Sequence, residues 1–169
     1  MKKILSIIVI LIFALSCNNI QKEKLEKENE HDIIGVESDD SEMNLAIEKA
    51  KLNIENFDSA LKSNNPKFLN FSVKKPYKTV SGNEHIWISD VVLKGDSYLG
   101  VIGNTPEYTG EIKLGDTVLV EKREISDWMY IDENKLKGGY TIRALRNKLS
   151  ESEKKEFDSE NGMIIECEK

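Results

Sequence analysis

Apolar and polar residues alternate along this chain with two different periods, and the change of period marks its elements. From Asp39 to Pro66 the period is helical. Met43, Ile47, Ala50, Ile54, Phe57 and Leu61 recur at steps of four and three, which puts them on one stripe of a single helix. Asp39, Asp40 and Ser41 can cap its start and place negative charge at the positive end of the dipole. Asn64-Asn65-Pro66 ends it.

After Pro66 the period drops to two. Leu69, Phe71 and Val73 alternate with polar residues as far as Pro76, and a loop at Ser81-Gly82-Asn83 follows. Glu84 to Leu93 is rich in β-branched and aromatic residues and predicts a strand. Lys94-Gly95-Asp96-Ser97 is a tight turn, so Tyr98 to Gly103 is expected to return as a hairpin. Asn104-Thr105-Pro106 breaks that strand. Thr117–Arg123 and Ile125 to Ile131 are the last clear strands. Gly138-Gly139 leads into a helix from about Thr141 to Leu149, striped by Ile142, Leu145 and Leu149. Ser150-Glu151-Ser152-Glu153 is a capping box for a second short helix, Glu151 to Asp158. Short returns imply antiparallel pairing. The predicted class is α+β: an N-terminal amphipathic helix packed on a curled antiparallel sheet of four to five strands, with short C-terminal helices.

The first residues belong to a different pattern. Met1-Lys2-Lys3 is a short positive region, and Ile4 to Ser16 is almost wholly apolar. That run is too short for a stable spanning helix, which needs roughly 20 residues. It fits a secretion signal, so residues 1–16 are set aside from the fold. Ala14-Leu15-Ser16-Cys17 resembles a bacterial lipobox, which implies lipidation of Cys17 and attachment to a membrane. Residues 17–40, mostly Lys, Glu, Asn and Asp, read as a flexible charged tether. Residues 41–160 form the expected single domain, and 161–169 a loose tail.

Removing residues 1–16 takes away two lysines and no acid, so the net charge deepens from −6 to −8. A chain so acidic, with no basic stripe interleaved with aromatics, is unsuited to nucleic acid. With Cys17 lipidated, Cys167 has no partner in the chain, and there is no CxxC site. One histidine in the folded part, no paired cysteine and scattered carboxylates predict neither a metal nor another cofactor.

The candidate chemistry gathers in two stretches. In the Glu84–Leu93 strand, alternation places Glu84, Ile86, Ile88 and Asp90 on one face and His85, Trp87, Ser89 and Val91 on the other. His85 is therefore not oriented by Glu84. Packing or a structural hydrogen bond is the leading reading for it, with ligand contact and catalysis as alternatives. A catalytic role needs an orienting group, and Asp127 is the candidate. Alternation sets Ser126, Trp128 and Tyr130 opposite Ile125, Asp127, Met129 and Ile131. Asp127 among apolar neighbours needs a partner, expected in Arg143, a turn N–H or the first turn of the Thr141 helix. Gly138-Gly139 before that helix is a possible anion seat, although glycines there more often serve a positive φ.

Taken together, EHIWISDV, GVIGNTPEY, KLGDTV, ISDWMYIDENKLKGGYTIRALR and LSESEKKEFD resemble the YegJ-like family of bacterial domains of unknown function (domain-of-unknown-function family 2314), from about Met43 to Asp158. The resemblance implies one intact α+β domain and brings no catalytic residue with it. The expected function is a non-catalytic envelope lipoprotein binding a protein or a small ligand. Its contact surface is expected around His85, Trp87, Trp128, Tyr130, Tyr140 and Arg143. The alternatives are a small hydrolase or transferase using His85 and Asp127, and an inhibitor or immunity-type protein.

Overall fold

The computed structural model describes residues 40–166. The expected signal segment, Cys17, nearly all of the tether and Cys167 lie outside the described residues. Two helices come first, α1 (Ser41–Leu52) and α2 (Ile54–Lys62). Six strands follow: β1 (Phe68–Thr79), β2 (Gly82–Lys94), β3 (Ser97–Ile102), β4 (Thr117–Glu121), β5 (Asp127–Asp132) and β6 (Lys135–Gly138). A 3-10 turn, Lys122–Glu124, separates β4 from β5. Helices α3 (Tyr140–Asn147) and α4 (Glu151–Asn161) complete the order. The strands form one antiparallel sheet in the order β4-β3-β2-β1-β5-β6. The class is α+β as expected, with one strand more than the predicted four to five.

The extra strand is β6, which is short and polar. It pairs with β5 through a two-residue turn in which Glu133 (φ 49°) and Asn134 (φ 65°) both take positive φ, as a type I′ hairpin requires. Helical periodicity suggested one N-terminal helix. The chain breaks it at Asn53 (φ −104°, ψ 13°), so the stripe serves two packings. Met43 and Ala46 of α1 pack on Ala144 of α3, while Ala50 and Phe57 enter the main core with Val73, Ile86, Ile88 and Trp128. Asp40 caps α1, accepting from Met43 N–H at 3.2 Å, and pairs with Lys148 beyond the end of α3.

Two bulges overturn the simple alternation. Asn70 (φ 56°) and Asp90 (φ 53°) sit where the register shifts, between Leu69 and Ser72 in β1 and between Ser89 and Val92 in β2. The extra residue changes the phase of everything beyond it. Leu69 is therefore 55% exposed, off the face that holds Phe71 and Val73, while Val91 is buried with Ile86 and Ile88. Gly100 lies opposite the second bulge, where a Cβ would come within 2.7 Å of Ser89 O. Pro76, expected to end its strand, stays inside β1. The β1–β5 ladder stops at Lys74, so the missing N–H of Pro76 faces no partner strand.

The C-terminal segment is tied down. Leu136 N–H donates to Ile164 O at 2.9 Å and Ile164 N–H to Asn134 O at 2.7 Å, so Ile164, within the expected tail, is bridged to the β5–β6 hairpin. The Ser150 capping box forms, and α4 is held to α3 by a bidentate Arg146–Asp158 pair at 2.7 Å.

Gly138 is the tightest position in the β6–α3 corner. Its φ is +69°, and an added Cβ would lie 2.3 Å from Trp128 O and 2.4 Å from the indole ring. Gly138→Ala combines a left-handed backbone with overpacking and is expected to cost about 3 kcal/mol. Urea denaturation measures this, with Gly110→Ala, in open space and without a positive φ, as the near-neutral comparison.

Candidate functional site

The sheet sorts the sequence candidates onto two sides. His85 and Trp87 alternate with the fully buried Ile86, so both point away from the helix-covered core. Trp128 is 3% exposed and belongs to that core, where its Nε1–H donates to Ala50 O at 2.8 Å. Its ring lies 5.5 Å from Phe57, 6.4 Å from Tyr130 and 5.6 Å from Tyr140. The single aromatic surface anticipated from sequence is thus divided. Trp87 stands on one side, and Trp128, Tyr130 and Tyr140 form a network on the other.

On the Trp87 side a polar cluster links β1, β2, β5 and α3. Lys74 of β1 is opposite both Trp87 and Asp127 in the ladders. Its Nζ lies 5.3 Å from the centre of the Trp87 ring and donates to Thr141 Oγ1 at 3.3 Å. Asp127 is fully buried. Its Oδ1 accepts from Trp128 N–H at 2.8 Å and Tyr140 N–H at 3.1 Å. Its Oδ2 accepts from Thr141 N–H at 2.8 Å and the Thr141 hydroxyl at 2.6 Å. Burial pushes the Asp127 carboxyl up and the Lys74 ammonium down, and each charge partly offsets the shift of the other.

These contacts place three of the sequence candidates. The first turn of α3 does offer an anion seat, and in this structure Asp127 occupies it. Asp127 finds the expected α3 partner, and Lys74 supplies the positive charge. Arg143 serves elsewhere: it donates through Nε to Gly138 O at 2.9 Å, and also to Leu136 O and Glu166 O. No hydrogen bond joins His85 to Asp127. His85 Nδ1 instead meets Ser126 Oγ at 2.8 Å. Burial, then the nearby Lys74 charge, pushes the His85 pKa down to about 4, so the imidazole is neutral at pH 7. A neutral imidazole beside a hydroxyl has the local form of a nucleophile–base pair. Yet Ser126 is 2% exposed, and the buried carboxylate orients a helix rather than the imidazole. The hydrolase expectation loses its dyad.

Sequence reasoning missed Lys74, Thr141 and Asp58. Lys74 sits in a Lys-Lys-Pro stretch whose alternation was visible, but its cross-strand neighbours were not. Asp58, 1% exposed, accepts from Tyr98 Oη at 2.7 Å and pairs with Lys122, tying α2 to β3 and the 3-10 turn. Glu84 pins the long β3–β4 loop by accepting backbone N–H bonds from Glu107, Tyr108 and Thr109 at 2.6, 3.0 and 2.8 Å. Burial raises its carboxyl, but those bonds outweigh it and hold the pKa below the usual range.

On the opposite side a groove of about 540 Å³ opens between α2 and the β5–β6 hairpin. Phe68, Trp128 and Tyr130 supply aromatic walls, and Asn56, Ser59 and Ser63 a polar rim. Lys137 is its cation, and no carboxylate lines it. Lys137 is held only loosely by Asp132, at 3.8 Å.

This is an α+β domain with a buried ionic clamp and a small aromatic groove. Residues 40–164 match the family described as an uncharacterized protein conserved in bacteria, DUF2314, and the chain belongs to that family. It is 39% identical over 75 residues to the uncharacterized protein YegJ of Escherichia coli K12, covering 44% of this chain and 49% of that one. It is 36% identical over 80 residues to a putative ankyrin repeat protein of Neisseria meningitidis serogroup B, covering 47% of this chain and 32% of that one. The chain therefore spans about half the length of the first relative and about a third of the second. No solved structure matches it.

Two measurements test the cluster. Asp127→Asn leaves Lys74 buried without its countercharge and is expected to cost about 3 kcal/mol in urea denaturation. The double variant with Lys74→Met is expected to recover part of that loss. His85 has a folded pKa of about 4 against 6.5 for the free side chain, so the unfolded chain binds its proton first. Its contribution to stability is full above pH 6.5 and is lost as pH falls toward 4. His85→Gln should flatten stability over the upper part of that window, above the range of carboxylates.

Proposed function

We propose that this member of the family is a lipid-anchored bacterial envelope protein whose folded part is a non-catalytic binding domain. The Met1–Cys17 pattern supports the anchor: a short basic start, an apolar run and a cysteine directly after the small residue Ser16. Several acyl chains on Cys17 would hold the chain at a membrane surface, each buried methylene contributing about 0.8 kcal/mol.

The observation that carries the binding reading is the groove between α2 and the β5–β6 hairpin. Apolar walls with a few polar groups are the usual composition of a ligand site. Trp128 forms its floor, Tyr130 and Phe68 its half-buried walls, and Ser59 and Ser63 its rim. In contrast, the polar groups of the Lys74–Asp127 cluster are occupied with one another, which supports a structural role there. The ligand favoured by the groove is a small molecule or peptide side chain with a flat apolar face and an acceptor group for Lys137.

Two experiments test this. Wild-type protein is expected to sediment with bacterial membranes, and Cys17→Ala to lose that association; unchanged membrane attachment would refute the lipid anchor. Ser59→Trp, at an exposed position on α2, fills the groove without replacing a core residue. An envelope component retained by the wild type and lost with Ser59→Trp supports the groove. Equal retention by both removes the groove from the binding reading.

A further inference from the structure

The last described residues return to β6, one wall of the groove. Gly162 ends α4 in the left-handed region (φ 61°). Ile164 then pairs parallel with Lys135, through the two backbone bonds to Leu136 and Asn134. Arg143 fixes the residue that follows. It donates from Nη1 to Glu166 O, while Nε and Nη2 hold Gly138 O and Leu136 O. The Glu166 side chain is thereby delivered to Lys135, with Oε1 2.7 Å from Nζ.

Strand alternation decides where this carboxylate lies. In the β5–β6 ladder Lys135 is paired with Asp132, and Lys137 with Tyr130. All four share one face, the face on which Tyr130 and Lys137 line the groove. Lys135 and Lys137 are separated by about 7 Å along the strand. Their two ammonium groups meet two carboxylates: Glu166 at Lys135, and Asp132 at 3.8 Å from Lys137. Glu133, in the turn, pairs with Lys67 at 2.8 Å. The hydrogen bond and charge of Lys135, and then the charges of Lys137 and Arg143, hold the Glu166 carboxyl below its usual range. Glu166 is thus within the field of the groove's cation, although it does not line the groove.

We propose that Glu166 is a built-in competitor for the groove's ligand: the chain's own carboxylate holds the cationic end of the β5–β6 wall, and an anionic ligand binds against it. The competition rests on the groove being the binding site, and the ligand it implies is a flat apolar acid. With Glu166 in place, positive and negative charge on this face balance. With Glu166 withdrawn, two ammonium groups face the single carboxylate of Asp132, and the excess positive charge attracts the acid group of a ligand whose rings rest on Tyr130 and Phe68. The Lys135 and Glu166 side chains are 42% and 54% exposed, and an exposed pair of this kind contributes little. A ligand carboxylate therefore displaces Glu166 at small cost.

Calorimetric titration of the full chain in lipid nanodiscs, with 2-naphthoate and its neutral analogue 2-naphthamide, tests the proposal. Glu166→Gln keeps the size of the side chain and removes its charge. It is expected to tighten 2-naphthoate roughly two- to fivefold at low salt, the range that exposed charge pairs span, and to leave 2-naphthamide unchanged. The gain should shrink as ionic strength rises. Glu151→Gln removes an equal charge beside Lys154, Arg146 and Lys155 instead, and should leave both probes unchanged. Equal 2-naphthoate affinity in the wild type and Glu166→Gln overturns the proposal. An equal gain in Glu151→Gln also overturns it, by assigning the effect to net charge. In either case the groove reading stands on its own if Ser59→Trp abolishes 2-naphthamide binding. If neither probe binds any of the proteins, or Ser59→Trp leaves both bound, the groove reading fails and the competition with it.

Discussion

Asp127 joins more of this structure than any neighbouring residue. A carboxylate at the start of β5 is buried, and its two oxygens take four donors: the Trp128 and Tyr140 N–H groups, and the N–H and hydroxyl of Thr141. An unpaired charge there would cost several kcal/mol, so the surroundings must supply donors and a cation. The first turn of α3 provides the donors, and Lys74 the cation. The consequences spread outward. Gly138 and Gly139 must both adopt positive φ to bring the helix start to the carboxylate. Tyr140 then reaches the Trp128 ring, and Ala144 reaches Met43 and Ala46. The position of α1 on the domain thus follows in part from one buried carboxyl side chain on the far side of β5.

A second clamp works at the other end of the sheet. Asp58, Tyr98 and Lys122 connect α2, β3 and the 3-10 turn in the same way, through a buried carboxylate, a hydroxyl and an ammonium. Hydrogen bonding to Asp58 raises the Lys122 pKa, while burial together with Asp58 raises that of Tyr98. Between the two clamps lies an aromatic core around Phe57, with Phe71, Tyr98 and Trp128 at 5.6, 5.5 and 5.5 Å. Directional ionic contacts at both ends and close-packed rings in the middle leave the groove beside α2 as the place where aromatic walls meet open space.

Legibility in the sequence followed the range of the interaction. The α+β class, the capping box at Ser150, the Gly95-Asp96 hairpin and the start of α3 could all be read, because each depends on residues within one or two turns of chain. The opposition of Glu84 and His85 was also legible, since strand alternation is local. The bulges at Asn70 and Asp90 were not. Nothing in the residues next to them marks an unpaired position, because a bulge is defined by the partner strand. Leu69 and Val91 were therefore placed on the wrong faces. The shortness of β6 hid it among turn residues.

The candidate site shows the same division. Sequence alone determined that His85, Trp87, Trp128, Tyr130 and Asp127 were the residues to watch, and that Asp127 in an apolar stretch needed a partner, with the α3 turn among the choices. Tertiary structure decided which partner it took. Lys74 lies 53 positions earlier in the chain than Asp127, and only the β1–β5 register brings them opposite. Likewise, His85 meets Ser126 across 41 positions, while Trp87 and Trp128 end on different sides of one sheet. Side-chain type and local period are properties of a few neighbouring residues. Pairing, burial and electrostatic environment depend on contacts that exist only once the strands have found their register.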